Sequence, residues 1–162
     1  MSILGDNPRL IFSLPWPPSA NASHVHRKAR VKLGPKAGKL YTARMLSDES
    51  RAYRGEVEIA VRASHRSPLR LDGRLSVALL LCPPDRRRID IDNRAKQTLD
   101  ALQAAKVFLD DAQVDELAIF RGNPVEEGRV LVSVSSYDAE AAAARLIDAG
   151  LPAPWMEAEV EA

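Results

Sequence analysis

Nine residues, Arg74 to Cys82 (RLSVALLLC), constrain the fold more than any other segment of the chain. Their apolar side chains nearly fill both faces of an extended run, and a strand apolar on both faces belongs inside a sheet with layers packed against it. Pro83 and Pro84 end the run at once, because proline has no N–H to give to a ladder. An interior strand needs neighbours. The candidates are Arg9 to Leu14 (RLIFSL), stopped by Pro15, Pro17 and Pro18, and two alternating runs, Val114 to Arg121 and Arg129 to Ser135. The segment between the last two, Gly122-Asn123-Pro124 to Gly128, reads as hairpin-like.

Three helices complete the pattern. Ser47 caps a predicted helix to about Ser64, whose Tyr53, Val57, Ala60 and Val61 make one apolar stripe. A second fits Asn93 to Ala105, with Ala95, Leu99 and Leu102 on one face. A third, rich in alanine, opens at Asp138 and runs to about Asp148, before Gly150, Pro152, Pro154 and an acidic tail. The order β-α-β-α-β-β-α predicts an α+β (α/β layered) fold, a single mixed β-sheet with helices packed on it. A chain of 162 residues fits one domain, divided here into a body over 1–137 and a C-terminal helix with its tail over 138–162.

Composition excludes several classes. Hydrophobic residues at 46% and charged residues at 28% rule out wholesale disorder and rod-like repeats. A single cysteine, Cys82, rules out a disulfide framework and a cysteine-rich zinc site, and reads as a small buried residue. No apolar run is long enough to span a bilayer and no secretory signal is evident, so a cytoplasmic protein without a membrane partner is expected.

Charge is unevenly spread. Up to Arg88 there are 17 Lys and Arg against 7 Asp and Glu; from Ile89 onward the balance is 6 against 15. No acid occurs between Asp6 and Asp48. Residues 21–40 therefore read as a long basic loop, in which Arg27, Lys28, Arg30 and Lys32, with His24 and His26, either wrap a polyanion or form a solvated segment. Trp16, between prolines, is expected at the edge of the core rather than on a base.

The chemistry concentrates in Asp85 to Glu116, DRRRIDIDNRAKQTLDALQAAKVFLDDAQVDE. Asp90 and Asp92 stand at the entry to the second helix and, if the chain is extended there, point to one side. Lys96 lies four residues beyond Asp92, on the same helical face. Val107-Phe108-Leu109 can return the chain and offer Asp110 and Asp111 to the same place. Converging carboxylates need retained protons or a cation, and an oxygen-only set matches Mg²⁺, or Mn²⁺ in its place, better than Zn²⁺. Such an ion activates water against phosphorus, with Lys96 beside it. Spacing serves a plainer reading equally: Asp90 and Asp92 as caps, Lys96 as a salt-bridge partner, Asp110-Asp111 as a turn. Arg86, Arg87 and Arg88 are placed to hold phosphates flanking a scissile bond, though three consecutive side chains cannot all face one way.

LPWPPSAN (Leu14 to Asn21), DRRRIDIDNRAKQTLDAL and VFLDDAQVDEL, in that order and spacing, resemble the RusA family of Holliday-junction resolvases. The resemblance covers roughly residues 9–136 and implies a homodimeric, Mg²⁺-dependent endodeoxyribonuclease that nicks four-way DNA junctions symmetrically. Carried over by motif position, the metal-binding acids would be Asp90, Asp92 and Asp111, with Lys96 as the catalytic cation and Asp110 in reserve for Asp111. Ile89 stands where family members often carry arginine, and Phe108 where tryptophan is frequent. Two other classes compete: a non-catalytic junction- or DNA-binding protein, and a metal-dependent phosphoesterase acting on RNA or nucleotides.

Overall fold

The computed structural model describes residues 10–65 and 68–150. Arg9, Pro152, Pro154, Trp155 and the acidic tail lie outside them. The elements run β1 (Leu10–Pro15), a 3₁₀ turn (Ala20–Ala22), β2 (His24–Arg30), β3 (Leu40–Leu46), α1 (Asp48–Ser64) and β4 (Leu75–Cys82). There follow α2 (Ile91–Ala104), a 3₁₀ turn (Asp111–Gln113), β5 (Val114–Arg121), β6 (Arg129–Ser136) and α3 (Ala139–Asp148). Four strands form one mixed sheet in the order β1-β6-β4-β5, so the apolar segment is interior as expected. The α+β layering is also as expected.

Two expectations are corrected. β5 and β6 are not a hairpin: β4 lies between them, parallel to β5 and antiparallel to β6. The β4–α2–β5 crossover sets β5 beside β4, and the connection then passes across the end of β4, where Gly122 donates to the Leu81 carbonyl at 2.8 Å and Val125 to that of Pro83 at 2.9 Å. A Cβ at Gly122 would stand 2.5 Å from Cys82 Sγ, so a larger residue there would have to displace the cysteine side chain. Residues 21–40 are not a loop throughout. Residues 24–30, with Leu40, join residues 41–46 in a second, two-stranded sheet, β2 against β3, and Val31 to Lys39 form its turn.

The core lies between the sheet and α1–α2. Leu75, Val77, Leu79 and Leu81 of β4 meet Val130, Val132 and Val134 of β6, Phe12 and Leu14 of β1, and the helix residues Tyr53, Val57, Val61, Ala101 and Leu102. Ser47 caps α1 as predicted, its hydroxyl accepting from Ser50 N at 3.2 Å. Buried polar pairs tie the helices together: Ser50 Oγ donates to Gln97 Oε1 at 3.2 Å, and Tyr53 Oη lies 3.4 Å from Thr98 Oγ1. Burial pushes the Tyr53 phenol up to about 12, against a smaller opposing effect of its Thr98 bond. On the other sheet face, Glu116 of β5 accepts from Ser76 at 2.6 Å and from Arg145 of α3 at 2.7 Å, which fixes α3 to that side.

Candidate active site

α2 begins at Ile91, two residues earlier than predicted, and this changes the local geometry. Asp90 is the extended N-cap residue and Asp92 already belongs to the first helical turn. The two-residue alternation that would have aimed both carboxylates one way does not apply. Asp90 makes no side-chain cap bond, and among the described residues neither Asp90 nor Asp92 is paired. The capping account therefore fails for Asp90. Both carboxylates stand where the helix dipole and free N–H groups favour negative charge.

The end of α2 brings the second acidic segment back. Val107 N donates to Leu102 O at 3.1 Å and Lys106 N to Gln103 O at 3.0 Å, closing the helix with Lys106 in the left-handed region at φ 60°. Val107 and Phe108 are fully buried, and Leu71 N donates to Val107 O at 2.8 Å, which anchors the returning chain beside the sheet.

The turn then separates the two neighbouring aspartates. Asp110 caps it, accepting from Ala112 N at 2.9 Å, while Gln113 Oε1 accepts from the N–H groups of Leu109 and Asp110. Gln113 Nε2 donates to the carbonyls of Leu71 and Gly73, both at 3.0 Å. Asp111 has no such duty and lines a cleft.

That cleft, of about 200 Å³, is bordered by Asp92, Lys96 and Asp100 of α2 and by Asp111. Its apolar lining is Ala95 and Leu99 of α2 with Leu117 and Ile119 of β5. The structure thus brings Asp92, Lys96 and Asp111 to one place from distant chain positions, while Asp90 is not part of the lining. Among the described residues, no three His, Cys, Asp or Glu side chains approach closely enough to form a metal cage. This donor set still fits a hydrated hard cation, because Mg²⁺ keeps several waters and is commonly held by one or two carboxylates together with substrate phosphate. Lys96 pairs with Asp100, 3.7 Å away, and not with Asp92. Asp100, also 3.9 Å from Arg54, escaped sequence reasoning; its i, i+4 spacing from Lys96 was the available signal.

A second cleft, of about 210 Å³, holds Arg87, Arg88, Arg94, Ile89 and Trp16. Arg87 binds Asp85, side chain to carboxylate at 2.7 and 2.9 Å, and these bonds hold the Asp85 carboxyl below its ordinary range. Arg86 is exposed and does not line this cleft. Trp16 packs against the core as expected, with the Arg94 guanidinium 5.5 Å from its ring centre. Burial lowers the Arg94 pKa. Arg121, at the end of β5, donates to Ile89 O at 2.8 Å and so carries a guanidinium to the chain just before Asp90. Arg94 and Arg121 were both missed, since each approaches through tertiary folding.

The layered sheet, the acidic cleft with its lysine and the arginines around it define a candidate phosphodiester-handling protein. Comparison with known proteins takes this further. The family described as Endodeoxyribonuclease RusA matches residues 15–135, and the chain belongs to the RusA family. The crossover junction endodeoxyribonuclease rusA of Enterobacteria phage 82 is 30% identical over 129 residues, 80% of this chain and 96% of that protein. That of Escherichia coli (strain K12) is 30% identical over the same length, and that of Enterobacteria phage HK97 is 32% identical over 131 residues, 78% of this chain and 94% of that protein.

Proposed function

We propose that this chain is a divalent-metal-dependent endonuclease that resolves four-way DNA junctions by paired, symmetric nicks. The carrying observation is the meeting of Asp92, Lys96 and Asp111 in one cleft. Membership of the RusA family and similarity to crossover junction endodeoxyribonucleases support the substrate.

Asp92 and Asp111 would hold a Mg²⁺ ion, with Mn²⁺ as its substitute, and Asp90, two residues before Asp92 and outside the cleft lining, is the third acid the RusA resemblance implies. Such an ion, when bound, supplies Lewis-acid activation of water and neutralises charge at the scissile phosphate. Lys96, the cation of the cleft, is itself exposed and can turn from Asp100 to a phosphate oxygen and stabilise the charge that develops there. Arg88 and Arg86 are taken to position the flanking phosphates; Arg87 must first exchange Asp85 for phosphate. Two matched nicks in a two-fold substrate call for two sites related by a two-fold axis, hence a homodimer. Residues 1–137 form the nuclease unit and residues 138–162 are an addition to it, a division supported by a family match that ends at 135. Among the described residues no helix is long and apolar enough to cross a membrane.

The test is a nicking assay on a synthetic four-way junction, a flap, a duplex and an RNA hairpin, with Mg²⁺ and with chelator. Junction-selective cutting that needs Mg²⁺ and vanishes in Asp92→Asn, with binding retained, is expected. Full activity of Asp92→Asn, or turnover of RNA in preference to junctions, would overturn the proposal.

A further inference from the structure

The pairing of β2 with β3 sorts the basic segment onto two faces. Residues directly opposite each other in an antiparallel pair share a face, and successive residues alternate. The register His24↔Leu46, His26↔Arg44, Lys28↔Thr42 and Arg30↔Leu40 collects His24, His26, Lys28, Arg30 and Arg44 on one face. The intervening register, Val25↔Met45, Arg27↔Ala43 and Ala29↔Tyr41, gives a face that is apolar apart from Arg27. Side-chain contacts agree with this division. Arg44 reaches His24 Nδ1 at 3.3 Å on the first face, whereas Arg27 pairs with Asp48 at 3.3 Å. Asp48 also holds Arg51 at 2.8 Å, so the charge of Arg27 is already met by a carboxylate.

Lys28, Arg30 and Arg44 are exposed, and no salt bridge engages them among the described residues. Three uncompensated cations stand on one side of a ribbon that projects outside the core. We infer that this hairpin is a one-sided phosphate-binding arm: the face of Lys28, Arg30 and Arg44 lies along a DNA backbone, and the face of Arg27, Tyr41 and Met45 is turned away from it. The inference rests on the reading that the substrate is DNA. It divides the basic segment in a way charge alone cannot, removing Arg27 from the contact set and adding Arg44.

Each phosphate neutralised by a cation contributes about 0.9 to the slope of log K against log salt. Binding of a labelled four-way junction, measured in chelator across a salt series, therefore counts contacts face by face. Lys28→Ala, Arg30→Ala and Arg44→Ala should each shallow the slope by about 0.9, and the triple variant should weaken binding by roughly one to two orders of magnitude. Arg27→Ala, which removes the same charge, should leave the slope unchanged. Gain of charge gives the converse: Thr42→Lys should steepen the slope by about 0.9 and Ala43→Lys, one residue along on the other face, should not. Equal effects of Arg27→Ala and Lys28→Ala would overturn the sidedness, and an unaltered triple variant would overturn the arm. In both cases wild-type nicking of the junction would show that the proposed function survives. Wild-type protein that neither binds nor nicks DNA would overturn both.

Discussion

The cleft bordered by Asp92, Lys96 and Asp111 is built on α2 and the chain returning from it, whose Leu102, Val107 and Phe108 have no exposed surface, whereas among the described residues none from 24 to 46 belongs to the core. The two regions also carry opposite charge, carboxylates in the cleft and guanidinium and ammonium groups on the ribbon. Chemistry at phosphorus needs groups held to within a fraction of an ångström, which packed elements provide. Binding a polyanion needs only charge at the right spacing, which an arm standing off the body can supply. If the cleft cuts and the ribbon binds as proposed, the molecule divides geometric accuracy from affinity.

The largest effect expected from that division is on cutting. Asp111→Asn keeps shape and removes charge from the cleft, and junction cleavage should fall by roughly three orders of magnitude, while junction affinity in chelator changes less than about threefold. Single-turnover cleavage with a parallel binding titration checks it. If affinity falls as far as rate, the cleft is a binding surface and the division collapses.

Stability should divide the same way. Leu102→Ala empties a fully buried site between α2 and the sheet and should cost about 2–5 kcal/mol. Tyr41→Ala, on a ribbon residue 51% exposed, should cost less than about 0.5 kcal/mol. Urea unfolding of both variants compares them, and a ribbon substitution as costly as the core one would show that the arm is packed on the body.

How far each region was legible follows from the same difference. The interior strand, the stripe of α1 and the return of the chain at Val107 and Phe108 leave apolar runs or periodicity in the sequence, because they build the core, and Ser47 stands before the α1 stripe as a capping residue. The ribbon leaves almost none. Val25 lies between histidines and Ala29 between basic residues, while Tyr41 and Met45 each have a leucine beside them, so no clean alternation shows; a two-stranded ribbon in solvent buries nothing that forces one, and Gly34, Pro35 and Gly38, which lie in its turn, read as loop. Within the site, the acids and Lys96 stood out by motif. Which of Asp110 and Asp111 would cap the turn depended on Gln113 reaching Leu71 and Gly73, some forty residues away in sequence.

A pH experiment sharpens the contrast further. Tyr53 ionises near 10 when unfolded but only near 12 in the core, so between those values the unfolded state releases a proton that the folded state keeps. Stability conferred by the neutral phenol is complete below pH 10 and is lost as pH rises toward 12, by a total of roughly 2–3 kcal/mol. Denaturant titrations from pH 9 to 12 should show this slope in the wild type and a reduced one in Tyr53→Phe. An identical slope in both would mean that the phenol is not buried as described.

The smallest effect concerns the turn that joins the packed layer to the acidic loop. Lys106 adopts φ 60°, a conformation that costs a residue with a Cβ about 1–2 kcal/mol and glycine little. The turn is held there by the Leu102–Val107 hydrogen bond on one side and by the burial of Val107 and Phe108 on the other. Lys106→Gly should therefore be more stable than Lys106→Ala by about 1 kcal/mol, the alanine variant serving to remove the favourable interaction of lysine with the helix end. Neither substitution should alter the rate of cutting, since the backbone route to Asp111 is the same in both. Should Lys106→Gly be the less stable and the slower of the two, the turn would owe its shape to the lysine side chain, and the geometry of the cleft would depend on that contact instead of on the core beneath it.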